Sequence, residues 1–339
     1  MSFVKTNGIE SSKQLPTASV VIPVLNEEKH IEFVLNNILQ NKPESILEVI
    51  VVDGGSSDKT RDIVERFCLI DENIKLINNP QKIQASGINL AVLQSNPLSE
   101  VIIRMDAHAD YDSHYLFHLL NEIKSRDAES IVVRLFTVGN SCFQRAVAFV
   151  SNNALGTGGA AHRMGNKSKY VDHGHHAAIK KSSFLALGGY DDSFSANEDA
   201  EFDHRLTKSG GKIWFCSDIV VRYFPRSNPA ALSKQYFRYG QGRAQNSQKN
   251  RQMLRIRQSL PIFFVLYLIF LIPLAILNPI FLAPFLVYST SLILSALFAL
   301  YRERSLCYLH VLSVLPIIHL SWGGGFLKYV LLDAFSRRK

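Results

Sequence analysis

From Ser19 onward the chain alternates short apolar runs with longer segments of helical period. Ser19–Val24 reads as a buried strand, followed by a helix from about Glu27 to Leu39. Glu48–Asp53 is a second strand, Asp58 to Phe67 a helix, Ile74–Ile77 a third strand and Gln84–Gln94 a helix. Val101–Met105 is a fourth strand, His114–Ile123 is helical and Ser130–Val138 extended. Continuous Val/Ile runs between amphipathic helices predict an α/β fold with a mostly parallel sheet covered on both faces. Residues 139–175, rich in Gly, Asn and His, read as loop. Beyond them the pattern predicts a helix over Asp199–Lys208, strands at Lys212–Cys216 and Ile219–Phe224, and a helix from Pro229 to about Gln248.

The end of the chain follows another rule. Leu260–Leu277 is 18 residues without a charge and Ile280–Tyr301 is 22. At 1.5 Å per residue the shorter run reaches about 27 Å, enough for a hydrocarbon core. A third apolar segment, residues 306–335, contains Gly323-Gly-Gly325, where a break is expected. Three regions follow: a polar segment 1–17, a folded domain 18–250 and a membrane-associated tail 251–339. Segment 1–17 has no apolar stretch of signal-peptide type, so the folded domain is expected to stay on the side where it is made.

Composition changes the picture only when read locally. The chain is 47% hydrophobic with a net charge of +8. Residues 251–339 carry nine Lys/Arg against Glu303 and Asp333, so seven of those charges flank the tail. The basic balance is therefore a membrane pattern, and no nucleic-acid partner is expected. Arg251, Arg255 and Arg257 precede the first span, Arg302 and Arg304 follow the second, and Arg337–Lys339 close the chain. The positive-inside bias places all three groups on the cytoplasmic side. Two full spans satisfy it if residues 306–335 enter and return, bending at Gly323–Gly325. Four scattered cysteines, none in a C-x-x-C pair, are expected to be reduced thiols.

Four clusters carry chemistry. Asp53 opens Asp-Gly-Gly-Ser-Ser-Asp58 at a strand end; its carboxylate suits a base N–H or ribose hydroxyls, and the same residues suit an ordinary turn in which Asp58 caps the next helix. Neither a dinucleotide fingerprint nor a Walker A loop is present, which argues against hydride transfer and ATP hydrolysis. Asp106-Ala-His108-Ala-Asp110 follows the fourth strand and can hold a divalent cation against a diphosphate, or form a solvated turn. Glu198-Asp199 opens a helix, as N-terminal carboxylates or as a general base. Gln235, Arg238 and Tyr239 share one helix face suited to a diphosphate or sugar, or to a membrane surface. His173, His175 and His176 form a cluster read as structural or acceptor-facing.

The order of these motifs, with Val-Ile-Pro-Val-Leu-Asn26-Glu27 ahead of them, resembles the inverting glycosyltransferases of family 2 over residues 18 to 250. The Asp-Ala-His variant and the Gln-Tyr-Phe-Arg-Tyr-Gly run look most like bacterial exopolysaccharide enzymes of the succinoglycan type. The resemblance implies a GT-A (Rossmann-like) domain followed by membrane helices. It implies that Pro23, Glu27 and Asp53 hold the nucleotide, and that Asp106 and His108 match the Asp-x-Asp motif for diphosphate and cation (Mn²⁺ or Mg²⁺). Asp199 matches the catalytic base, with Glu198 beside it. Gln235, Arg238 and Tyr239 match a Gln-x-x-Arg-Trp motif that contacts diphosphate and acceptor. His108 and Tyr239 depart from that pattern, standing for Asp and Trp. The implied donor is a nucleotide sugar, a uracil nucleotide by family habit, and the acceptor a polyprenyl-diphosphate-linked glycan. The implied setting is the inner membrane, multi-pass, with the catalytic domain facing the cytoplasm. A polyprenyl-phosphate sugar synthase, a processive synthase and a non-catalytic sugar-nucleotide sensor are the rival readings.

Overall fold

The computed structural model describes residues 14–157, 163 and 165–336. Its centre is one sheet of nine strands: β1 (Ala18–Val24), β2 (Ile46–Asp53), β3 (Ile74–Asn78), β4 (Val101–Arg104), β5 (Ala109–Asp110), β6 (Ser130–Thr137), β7 (Lys169–Val171), β8 (His175–Lys180) and β9 (Ile213–Tyr223). The spatial order is β3-β2-β1-β4-β8-β6-β9-β5, with β7 beside β9. The first four of these strands are mutually parallel, as their uninterrupted Val/Ile runs require. Then β8 runs antiparallel between β4 and β6, and β6 pairs parallel with β9. Pro23 is tolerated in central β1 because the pairing with β4 ends at Val21, two residues earlier.

Helices α1 (Ile31–Asn41), α2 (Thr60–Ile70), α3 (Gln84–Gln94) and α4 (Tyr115–Ser125) cover the sheet close to the positions their periodicity predicts. Two apolar clusters form, one on each face, built around Ile22, Val51 and Leu119 and around Ile50, Ile88 and Phe202. The two strands expected between 212 and 224 are one, β9, whose pairing with β6 jumps from Cys216 to Val220 between the consecutive β6 residues Val133 and Arg134. The irregularity absorbs the interruption the sequence suggested.

Residues 139–175 are not all loop. Cys142–Ser151 forms α5, opened by a capping box in which Ser141 and Gln144 bond each other's backbone. Farther on lie α6 (Lys181–Ala186), α7 (Glu198–Lys208) and α8 (Pro229–Lys249). The cysteines also depart from expectation. Cys142 at the start of α5 and Cys307 beyond the second apolar run are joined in a disulfide, their Cα atoms 4.5 Å apart, while Cys68 and Cys216 are free.

Among the described residues three helices are long and apolar enough to cross a membrane: α9 (Ile256–Leu277), α10 (Ala283–Glu303, extended at its start by a turn from Pro279) and α11 (Val311–Ser336). They are not alike. The apolar windows of α9 and α10 are 6% buried, that of α11 28%. The break expected at Gly323–Gly325 is absent, because α11 runs through it unbroken. Those glycines serve contact instead. A Cβ on Gly325 would collide with the Phe237 carbonyl, one on Gly323 with that of Pro261, and one on Gly240 of α8 with that of Trp322. Small residues on facing helices let the backbones meet. The first half of α11 packs Val311, Val314, Leu315 and Ile318 against Phe143, Val147 and Val150 of α5. Its second half places Phe326 against Ala244 of α8 and Ile262 of α9. α11 thus packs against α5 and α8 of the folded domain and also against α9 and α10.

Candidate active site

The loops after β1 and β2 are stitched together before any functional group is placed. Asn26, in the left-handed region at φ 57°, donates its backbone N–H to Ser56 Oγ at 2.9 Å, and its Oδ1 accepts from the Ser57 N–H at 2.8 Å. Thr60 Oγ1 accepts from the Glu27 N–H at 2.8 Å. Asp53 is fully buried and turned into its own loop, accepting from the Gly55 and Ser56 N–H groups and from Arg61 Nη1 at 2.9 Å. Burial alone would raise its pKa, but the Ser56 and Arg61 bonds hold it below the ordinary range.

Beside this platform Glu27 accepts from His108 Nδ1 at 2.8 Å. Desolvation disfavours the His108 cation, but Glu27 and Asp106 outweigh it and its pKa is raised. The His108 ring meets Tyr223 edge-on at 5.7 Å. Tyr223 Oη accepts from Gln235 Nε2 at 3.0 Å, and the same amide donates to Tyr239 Oη at 3.1 Å. The Tyr239 carbonyl accepts from Asn197 Nδ2 at 2.9 Å. A continuous chain of contacts therefore joins the β1 loop, the Asp106–His108 turn, α8 and the start of α7. Arg238, on the same helix, is exposed.

The carboxylates are joined by a residue the sequence reading passed over. Arg104, at the end of β4, reaches Glu198 Oε1 with Nη1 at 3.2 Å and lies 3.8 Å from Asp106 Oδ1 through Nε. Burial raises the pKa of Glu198 against the pull of Arg104, whereas for Asp106 the attraction of Arg104 and His175 overcomes desolvation and lowers it. Asp199 lies partly buried beside Glu198 in the first turn of α7.

The histidines divide by strand alternation. His176, on one face of β8, sets Nε2 2.7 Å from Asp203 Oδ1, and His173 donates from Nδ1 to Asp203 Oδ2 at 2.7 Å. Asp203 is fully buried on α7, one turn beyond Asp199. This pair fixes the helix that carries Glu198 and Asp199. His175 points the other way, its Nε2 3.7 Å from Asp106 Oδ2, and desolvation lowers its pKa to about 4. Arg163, also unremarked in the sequence, donates to Thr137 Oγ1 at 2.7 Å and stacks over Tyr223.

No group of three His, Cys, Asp or Glu residues gathers as a metal centre among the described residues. Asp106 and His175 form a two-ligand arrangement: an anionic oxygen donor beside an imidazole that desolvation keeps neutral. Such a set fits a cation that binds mainly through a diphosphate. His108, expected as a ligand, has its Nδ1 engaged by Glu27.

Residues 19–188 match the family model for glycosyl transferase family 2. The chain belongs to that family. Among curated relatives of this transferase, the succinoglycan biosynthesis protein ExoA of Rhizobium meliloti is 38% identical over 97% of this chain and 99% of that protein. A dolichyl N-acetyl-alpha-D-glucosaminyl phosphate 3-beta-D-2,3-diacetamido-2,3-dideoxy-beta-D-glucuronosyltransferase of Methanococcus voltae is 26% identical over 91% of this chain and 96% of its own. In fold, the transferase is similar to the mannosyltransferase PcManGT of Pyrobaculum calidifontis, solved with GDP-Man and Mn²⁺. The TM-score is 0.59 at 19% identity, covering 93% of this chain and 88% of that one.

Proposed function

We propose that this family 2 transferase moves a sugar from a nucleotide-diphosphate donor to a hydroxyl of a lipid-linked glycan, with inversion, in cell-surface or exopolysaccharide synthesis. The observation that carries the reading is the convergence, through Arg104, of Asp106 and of the Glu198–Asp199 pair. The names of the Rhizobium and Methanococcus relatives, one for an exopolysaccharide and one for a dolichyl-linked acceptor, support it.

Asp199 accepts the proton of the acceptor hydroxyl as its oxygen attacks the anomeric carbon. The bond from that carbon to the nucleoside diphosphate breaks on the opposite face, so an α-linked donor gives a β-linked product. Glu198, pinned to Arg104, orients the first turn of α7 and keeps Asp199 in place. Pro23, Glu27 and the loop organised by Asp53 receive the nucleoside, and a uracil base is the preferred one. Gln235, Arg238 and Tyr239 receive the acceptor beside the diphosphate. A divalent cation would be held by Asp106 with His175, and His108 alongside, supplying charge neutralisation at the leaving diphosphate. Membrane attachment is through α9 and α10, with the folded domain on the cytoplasmic side.

The test is transfer itself. Full-length protein in nanodiscs is given a panel of nucleotide sugars with a lipid-diphosphate glycan. We expect nucleoside diphosphate release coupled to one added β-linked sugar, read by product mass and by NMR of the anomeric proton. Release without a lipid-linked product, or an α-linkage from an α-donor, overturns the reading.

A further inference from the structure

A cavity of about 550 Å³ lies between the end of β6, α5 and the turn that follows α10. Two of its walls are joined covalently, since Cys142 of α5 is bonded to Cys307 of the turn. Three guanidiniums line it, Arg134, Arg145 and Arg302, against one carboxylate, Glu303. Arg302 is compensated there, with Nε 3.4 Å from Glu303. Arg134 stands over the Phe136 ring, and its Nε is buried without a hydrogen-bond partner. Arg145, in the first turn of α5, is exposed. Among the described residues no carboxylate pairs with Arg134 or Arg145. A guanidinium whose charge and buried N–H both lack a partner is stabilised by an anion brought to it.

Place and lining decide which anion. Arg302 sits in the last turn of α10, a helix long and apolar enough to cross a membrane, so the cavity lies where that apolar stretch ends. The turn beyond it carries Leu306, 78% exposed. The lining is also apolar in part, through Phe136, Ala148 and Phe149. A phosphodiester headgroup meets both requirements: two unesterified oxygens for two guanidiniums, and an acylated glycerol for the rings. A choline or ethanolamine headgroup brings a further cation to a site already in excess, so the fitting headgroup is one of net negative charge. We propose that this cavity seats the phosphate of an anionic phospholipid, fixing the α5 face of the folded domain to the membrane at the end of α10. Arg134 and Arg145 hold the phosphate, and Phe136 and Phe149 meet the start of the acyl chains. The site concerns anchoring and stands or falls apart from the transferase reading.

The probe is phosphatidylglycerol with a photoactivatable diazirine near its headgroup, diluted into phosphatidylcholine nanodiscs that hold the full chain. Labelled peptides are located and quantified by mass spectrometry. In the parent, labelling is expected to concentrate on the peptides spanning Arg134–Asn153 and Arg302–Tyr308. Arg145→Gln is expected to lower it about tenfold, the loss of one charge-assisted contact to phosphate. Arg134→Gln is expected to act in the same direction. A thermal midpoint on each variant reports an intact fold, and Arg145, being exposed, keeps the test decisive should the Arg134 variant unfold. Arg251→Gln removes the same charge from the basic flank before α9 and is expected to leave cavity labelling at the parental level. Parental labelling in Arg145→Gln overturns the site. Labelling lowered as much by Arg251→Gln shows that bulk charge alone recruits the lipid, and overturns it too. Equal labelling by the phosphatidylcholine analogue identifies unselective lipid contact. Displacement by glycerol 3-phosphate as effective as by unlabelled phosphatidylglycerol identifies a free-phosphate site, and either result overturns the proposal.

Discussion

Arg104 Nη1 lies 3.2 Å from Glu198 while its Nε faces Asp106 at 3.8 Å, so one buried guanidinium balances two carboxylates from different elements together. Two carboxylates buried this close carry a desolvation cost that a shared cation offsets. Arg104→Met is therefore expected to lower turnover by about a hundredfold, in the range of a lost electrostatic contact. It should also displace the pH profile. Arg104 holds Asp106 below and pulls Glu198 down against its burial. Without it both carboxyls protonate at higher pH, and the acid limb of kcat against pH moves upward. An unmoved limb would show that Arg104 only packs.

Asp199→Asn keeps shape and removes the proposed base. Turnover is expected to fall by about 10²–10⁴-fold, with donor affinity close to that of the parent. Donor binding by calorimetry beside the transfer rate checks both halves; parental turnover would remove Asp199 from the mechanism.

Much of this was legible in the chain. The Val/Ile runs of β1, β2 and β4 sit within two residues of their predicted bounds, Asp53 and Asp106 lie at strand carboxyl ends, where sites in such sheets form, and Glu198-Asp199 open α7. Arg104 was hidden because a lone arginine at a strand end has no pattern; only the return of α7 from 94 residues away gives it a partner. The histidines were read as one cluster, although adjacent strand residues face opposite ways, which separates His175 from His176. Helix α5 carried a readable start, Ser141-x-x-Gln144, masked by the glycines and asparagines around it. Gly323–Gly325 reads as a breaker in isolation and as a contact surface once α8 lies against it.

His175 supplies a test of the cation arrangement. Desolvation lowers its pKa to about 4, so the imidazole stays neutral and able to ligate at any pH above that. His175→Ala is expected to raise the Mn²⁺ concentration for half-maximal transfer by about tenfold, whereas His108→Ala changes it less because that ring is held by Glu27. The reverse order would return the ligand role to His108. The same shift has a stability consequence. The unfolded chain takes up a proton near pH 6.5 and the folded one only near 4, so His175 costs stability progressively as pH falls through that window.

Asp203 fixes α7 through His173 and His176. Asp203→Ala takes the acceptor from the buried His176 and the half-buried His173 and is expected to cost about 3 kcal/mol, read as a lowered thermal midpoint. The His173 pKa is raised and that of Asp203 lowered. The contribution of the pair is therefore full between the carboxylate and imidazole ranges. It is lost as pH falls through the depressed Asp203 pKa, below 3.8, and as pH rises through the elevated His173 pKa, above 6.5. A midpoint that drops equally at pH 5 and pH 9 relative to the parent would exclude the ionic contribution.

The final prediction concerns the membrane. Helix α11 has the length to cross it, yet from Val311 to Phe326 it is packed against α5 and α8 of the folded domain as well as against α9 and α10. Arg304 and the Arg337–Lys339 cluster flank it, and a crossing would separate these two basic groups. An unbroken helix lying in the interface along the folded domain keeps both groups on the cytoplasmic side, the outcome the charge pattern asks for, without the bend at Gly323–Gly325. Single cysteines at Asn278, Arg304 and Ser336 distinguish the arrangements. Only the Asn278 position, between α9 and α10, is expected to react with a membrane-impermeant reagent added from outside. Gly240→Leu tests the packing that holds α11 there: its side chain meets the Trp322 carbonyl, and overpacking of this kind costs about 1–3 kcal/mol. Labelling of Ser336 from outside in the parent would establish three crossings and place the C-terminal cluster against the bias.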